Sequence, residues 1–166
     1  MLHIDRLAPA DWPAVREIYA EGIAGRTATF ETEVPGWEAW DAGHLPEPRL
    51  VARRGDRHGE VVGWAALSPV SRRAVYAGVA EASLYVAGAA RRGGVGRALL
   101  SELVARSEAA GIWTLQAGIL AVNAASLRLF AAAGFREVGR RERIGRLDGV
   151  WHDVILMGRR SAVAGR

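Results

Sequence analysis

Between residues 81 and 110 the apolar pattern changes period across a turn dense in glycine. Glu81-Ala82-Ser83-Leu84-Tyr85-Val86 reads as a strand, and Gly94 to Ala110 as a long helix with Val95, Leu99, Leu100, Leu103 and Val104 on one wide apolar stripe. Between them runs Ala87-Gly88-Ala89-Ala90-Arg91-Arg92-Gly93-Gly94-Val95-Gly96. Glycines let successive backbone N–H groups converge, and a helix start adds unpaired donors and partial positive charge. Such a strand–turn–helix suits a phosphate or pyrophosphate. A Walker loop needs a lysine, and the chain has none. A dinucleotide fingerprint needs a small residue where Leu99 follows Gly96, and an acid near Gln116-Ala117-Gly118. On spacing alone, a turn that merely reverses the chain stays open.

The rest of the chain interleaves strands and helices without a linker or repeat. Leu2 to Leu7 reads as a strand, Asp11 as the cap of a helix carrying Val15, Ile18 and Tyr19, and Gly25 to Gly36 as a loop. A short helix near Trp37 to Ala42 precedes strands Arg49–Arg53 and Val61–Leu67, joined by Gly55-Asp56-Arg57-His58-Gly59. After the long helix, which Gly111 stops, come strand Trp113–Leu120, helix Asn123–Ala133 ended by Gly134, a strand from Phe135, and strand Val150–Met157. This order predicts one α/β domain over residues 1–160 with a mixed sheet, and a disordered tail over 161–166.

Composition narrows the chemistry. Of 166 residues, 50% are hydrophobic and 24% charged, enough to fill a core. There is no cysteine, which excludes disulfide scaffolds, thiolate metal sites and cysteine nucleophiles; no metal is expected. No apolar run approaches the roughly 18 residues of a membrane span, and the first residues lack a secretory pattern, so a cytoplasmic location without membrane partners is expected. All 22 basic residues are arginines, set among 18 acids for a net charge of +4. The densest run, Arg136 to Arg146, holds five arginines and two glutamates and reads as a solvated face, so no nucleic-acid partner is expected.

Arg91-Arg92-Gly93-Gly94-Val95-Gly96, followed by Arg97-Ala98-Leu99-Leu100, resembles the Arg/Gln-x-x-Gly-x-Gly/Ala turn of the GNAT acyltransferase superfamily. Downstream, Asn123-Ala124-Ala125-Ser126 with Leu129-Phe130 and Gly134-Phe135 resembles that superfamily's Asn-x-x-Ser…Gly-Phe segment. Ile18-Tyr19, Thr27 to Thr32, Val62-Gly63-Trp64-Ala65, Glu81 to Val86 and Trp151-His152-Asp153 are similar to its phosphinothricin/methionine-sulfoximine N-acetyltransferase branch. The resemblance implies a mixed, mostly antiparallel sheet of six to seven strands with about four helices and splayed central strands.

It also implies a site. Acetyl-CoA is the implied co-substrate, with Leu84, Tyr85 and Val86 along its pantetheine arm and Arg91, Arg92, Gly93, Gly94, Val95, Gly96 and Arg97 around its pyrophosphate. A backbone N–H near Val86 would face the thioester oxygen. Asn123 and Ser126 suit the pantetheine amides; Asn123 equally suits an ordinary N-cap. Glu81 matches the branch's strand glutamate and is the expected base, with His152 a second catalytic candidate. Phe130 stands where many relatives carry a tyrosine, so no phenol there protonates the departing thiolate. Phe30, Arg72, Arg73 and Tyr76 are the expected acceptor contacts, the arginines binding an acid group. The branch's usual threonine and histidine around the glutamate are Val79 and Ala82 here, and Arg146-Leu147-Asp148-Gly149-Val150 also departs from its pattern. The implied acceptor is a small amino-acid-like amine and the implied assembly a homodimer. A polyamine, aminoglycoside or protein N-terminus as acceptor, and a non-catalytic acyl-CoA-binding module, are the alternatives.

Overall fold

The computed structural model describes all residues from Met1 to Arg166. Seven strands and four helices follow the expected order: β1 Leu2–Arg6, α1 Trp12–Ala24, α2 Trp37–Gly43, β2 Arg49–Arg54, β3 Glu60–Pro69, β4 Val79–Val86, α3 Val95–Ala109, β5 Thr114–Leu120, α4 Ala124–Ala132, β6 Arg136–Leu147 and β7 Val150–Arg160. One sheet contains every strand, in the order β1-β2-β3-β4-β5-β7-β6. All neighbours are antiparallel except β4 and β5. No helix is long and apolar enough to cross a membrane.

The alternation of strand side chains divides the core into two layers. Ala80, Ala82, Ala65, Leu67 and Leu50 meet α3, whose Leu99, Leu100 and Leu103 are fully buried. Burying each of these leucines stabilises the fold by about 1.5–3 kcal/mol before entropy is counted. On the opposite face Val51, Trp64 and Ala66 meet Val15 and Ile18 of α1 and Trp40 of α2. Trp64 is the centre of an aromatic group there, with ring centroids 5.6 Å from Trp40, 5.5 Å from Tyr19 and 5.0 Å from Tyr85.

Two local expectations are corrected. Asp11 does not cap α1 through its side chain. A short 3-10 turn, Pro9–Asp11, runs straight into the helix, so Asp11 already has helical dihedrals, not the extended ones of a capping residue. Its carboxylate turns back to accept from the Ala8 N–H at 2.8 Å and pairs with Arg53 of β2. The segment after residue 160 is docked, not disordered. Ser161 and Ala164 are buried, and the Ser161 hydroxyl meets Glu108 of α3. The Arg160 guanidinium donates to the carbonyls of Ala164 at 3.0 Å and Gly165 at 2.7 Å. One arginine thus gathers a tail whose own side chains carry little pattern.

Candidate active site

β4 and β5 pair over only three positions, Val79 with Thr114, Ala80 with Leu115 and Glu81 with Gln116. Beyond Glu81, β4 stays with β3 while β5 stays with β7, and the two central strands part. The Ala87 N–H donates to the Val62 carbonyl on the β3 side at 2.8 Å. Main-chain groups alternate in direction along a strand, so those of Leu84 and Val86 turn the other way, into the gap. Backbone donors and acceptors facing a gap are available to a ligand that enters edge-on. A cavity of about 620 Å³ occupies the opening, with Glu81, Leu84, Tyr85, Asn123, Ser126 and Phe130 in its lining.

The glycine turn follows directly from β4. Arg92 and Gly94 both have left-handed dihedrals, with φ of 64° and 83°, alternating with their neighbours to curl the main chain into a nest. The first internal bond of α3 is Ala98 N–H to the Gly94 carbonyl at 3.0 Å. The N–H groups of Arg92 through Arg97 make no well-formed hydrogen bond within the protein. Arg91, Arg92 and Arg97 are exposed around them, whereas the Val95 side chain is buried in the core and offers only its main chain. Unpaired amides, a helix dipole and three guanidinium groups fit a diphosphate. Asn123 is the N-cap of α4, its Oδ1 accepting from the Ser126 N–H at 3.2 Å. Because Asn123 also lines the cavity, its amide donors are free for a second partner.

On the face away from α3, Glu81, Ser83 and Tyr85 point toward α1 and the loop that follows it. Glu81 sits at the mouth of the gap, where Gly118 of β5 leaves it room: a Cβ on Gly118 would stand 3.8 Å from its Oε1. The Tyr85 ring is stacked on Trp64 and lies 4.9 Å from Tyr19, so it belongs to the aromatic group while the residue also lines the cavity. Burial, with smaller contributions from Tyr19 and the Glu31 charge, pushes the Tyr85 phenol well above its ordinary pKa. Tyr19 is raised by the same burial and the same glutamate. Both phenols therefore stay protonated at neutral pH. Phe30 packs over Gly145, where a Cβ would come within 2.4 Å of its ring.

Not every expected residue lines this space: Val86 and residues 91–97 lie outside the lining, at the end of β4 and in the glycine turn. His152 is absent from the cavity lining and meets the Phe30 ring edge-on, with centroids 6.1 Å apart. Arg72, Arg73 and Tyr76 do not line it either: a 3-10 turn, Ala74–Tyr76, carries them into solvent, where Arg73 lies 5.7 Å over the Tyr76 ring. The lining instead holds Tyr19, Glu31, His44, Ser68 and Arg141, which sequence reasoning did not select. Arg141 belongs to the arginine run read as a solvated face. It pairs in register with Val154, the β7 residue against Gly118, and so shares the face of the gap.

The sequence model of the acetyltransferase (GNAT) family matches residues 12–135. The phosphinothricin N-acetyltransferase of Alcaligenes faecalis is 38% identical over 159 residues, which cover 90% of this chain and 77% of that one. The L-methionine sulfoximine/L-methionine sulfone acetyltransferase of Pseudomonas paraeruginosa is 29% identical over 89% of this chain and 88% of its own. Among solved structures, a GNAT superfamily phosphinothricin acetyltransferase from Sinorhizobium meliloti, in complex with AcCoA, superposes with a TM-score of 0.86. It is 32% identical, and the match covers 99% of this chain and 90% of that one. A parted pair of central strands, a nest of unpaired amides at the start of α3 and these likenesses agree: the chain belongs to the GNAT family of acetyltransferases.

Proposed function

We propose that this enzyme transfers the acetyl group of acetyl-CoA to the primary amine of a small acceptor bearing an acid group, of the phosphinothricin or methionine sulfoximine kind. The observation that carries this reading is the run of unpaired amides from Arg92 to Arg97, leading into a gap that ends at Glu81. The relatives named for those two acceptors, and the neighbour solved with AcCoA, support it.

When bound, acetyl-CoA supplies an activated thioester. The amides of residues 92–97 hold the diphosphate, and Leu84, Val86 and Asn123 offer main-chain and amide groups to the arm. The Val86 N–H faces the gap and stabilises the oxygen on which charge develops as the amine attacks. An alkylamine is mostly protonated at pH 7, and Glu81, a carboxylate of the cavity lining at the mouth of the gap, takes its proton. Phe130 has no hydroxyl and is packed edge-to-face on Phe135, so it takes no part in proton transfer. Arg141 is the one arginine in the cavity lining and belongs to none of the protein's ion pairs, which leaves its fork for the acceptor's acid group.

CoA release with acetyl-CoA and a panel of amines tests the reading. Phosphinothricin and methionine sulfone are expected to react well above spermidine or an aminoglycoside. Arg141→Gln should raise KM for the acid-bearing acceptors about tenfold or more, the loss of one charge-assisted pair, and leave KM for acetyl-CoA within twofold. No release with any amine would overturn the assignment, and equal KM in the variant would remove Arg141 from the acceptor site.

A further inference from the structure

His44, just past α2, lines the same cavity as Glu81 and Ser68. The main chain fixes it there. The N–H of the next residue, Leu45, donates to the Leu67 carbonyl at 2.8 Å, hooking the segment onto β3 beside Ser68. Ser68 in turn stands opposite Glu81 in the β3–β4 ladder, so their side chains are cross-strand neighbours with Cβ atoms about 4.5–5.5 Å apart. Imidazole, hydroxyl and carboxylate thus share one cavity lining.

The ring's orientation defines its chemistry. Nδ1 lies 2.6 Å from the Trp40 carbonyl, and a carbonyl only accepts, so Nδ1 carries the proton. The ring is stacked on Trp40, centroids 4.1 Å apart, and meets Trp64 edge-on at 6.4 Å. Nε2 has no hydrogen-bond partner in the protein and is not sealed from solvent. In the neutral ring it is a lone-pair acceptor. Burial, aided by the Arg49 guanidinium, holds the imidazole below its ordinary pKa against the upward pull of the Trp40 bond and Asp41. Glu31, Tyr19, Tyr85 and Arg141 share the cavity with it.

We propose that His44 is the relay that receives the acceptor's proton. An N–H bond of the bound ammonium breaks, its electron pair stays on nitrogen, and Glu81 takes the proton. Glu81 then passes it, through the Ser68 hydroxyl or a water, to Nε2 of His44, and the imidazolium loses it to solvent. Glu81 returns to its carboxylate form for the next turnover. This proposal rests on the acetyl-transfer reading above.

His44→Asn tests it, because asparagine keeps a donor for the Trp40 carbonyl and lacks the basic nitrogen. With acetyl-CoA and phosphinothricin, kcat at pH 6.5 should fall about tenfold to hundredfold, with KM for acetyl-CoA unchanged. The deficit should shrink at pH 9, where hydroxide and buffer take the proton. A uniform loss across pH, parallel to the unmodified enzyme, overturns the relay. Histidine ¹⁵N spectra of the unmodified protein give an answer even where the variant does not fold: the neutral Nδ1–H tautomer is required, and an Nε2–H tautomer overturns the proposal. An unmodified enzyme that releases no CoA sinks the acetyl-transfer reading and the relay with it. An active enzyme, slow as Glu81→Gln but with an unaltered pH profile as His44→Asn, sinks the relay alone.

Discussion

Glu81→Gln is expected to lower kcat by about 10²–10³ at pH 7 while acetyl-CoA binds with unchanged affinity. The magnitude is that of losing one positioned general base. Glutamine preserves the size of the side chain at the mouth of the gap, where Gly118 leaves it space, so packing is retained and only proton affinity is lost. Without the base, turnover depends on the fraction of acceptor already neutral in solution. That fraction rises about tenfold per pH unit below the amine's pKa, so the defect is largest in acid and smallest in alkali. Rates from pH 6 to 9, with calorimetric titration of acetyl-CoA, separate the two quantities. Lost cofactor binding would mean that Glu81 serves the CoA half of the gap instead.

The largest effect on stability is expected at Trp64. It is only 1% exposed and touches rings from α1, α2 and β4 together. Trp64→Ala should cost about 3–5 kcal/mol of unfolding free energy, as other buried aromatic-to-alanine truncations do. The same void removes the surface on which Tyr85 stacks and against which the His44 ring rests, so KM for the acceptor should rise as well. Trp64→Phe makes a sharper comparison. The Trp64 Nε1 is buried without a hydrogen-bond partner, so phenylalanine discards an unsatisfied donor along with part of the ring and should cost well under half as much. Urea denaturation of both variants measures this; equal losses would mean the indole N–H has a partner in solution.

How much of this was legible in the sequence depended on how local each feature is. The strand–turn–helix around Gly93, Gly94 and Gly96 is written in consecutive residues, and it sets both the nest of unpaired amides and the position of β4. Glu81 was singled out by its likeness to the branch's strand glutamate, and strand alternation then sets it on the face opposite the helix. Arg72, Arg73 and Tyr76 stand outside the cavity, exposed at and just before the 3-10 turn Ala74–Tyr76, because a likeness of position carries no direction. His152 lies on the same strand as Val154 but two residues farther from Gly118, where its neighbour is Phe30 and not the cavity. Arg141 was hidden inside a run of arginines whose pairing register decides which of them faces the gap. His44 depended on a backbone bond from Leu45 to a distant strand, and no spacing in the chain announces it. The docked tail was missed for a like reason: Arg160 collects carbonyls that carry no side-chain identity.

The amides of residues 92–97 and the gap beside them carry the proposed function, and direct binding of acetyl-CoA tests both. Isothermal titration of the folded protein at moderate salt is expected to show one acetyl-CoA bound per chain. At a hundredfold excess over the dissociation constant, thermal unfolding should register about 2.7 kcal/mol of added stability. No heat and no shift in the melting transition, in a protein that is otherwise folded, would contradict the account at its base.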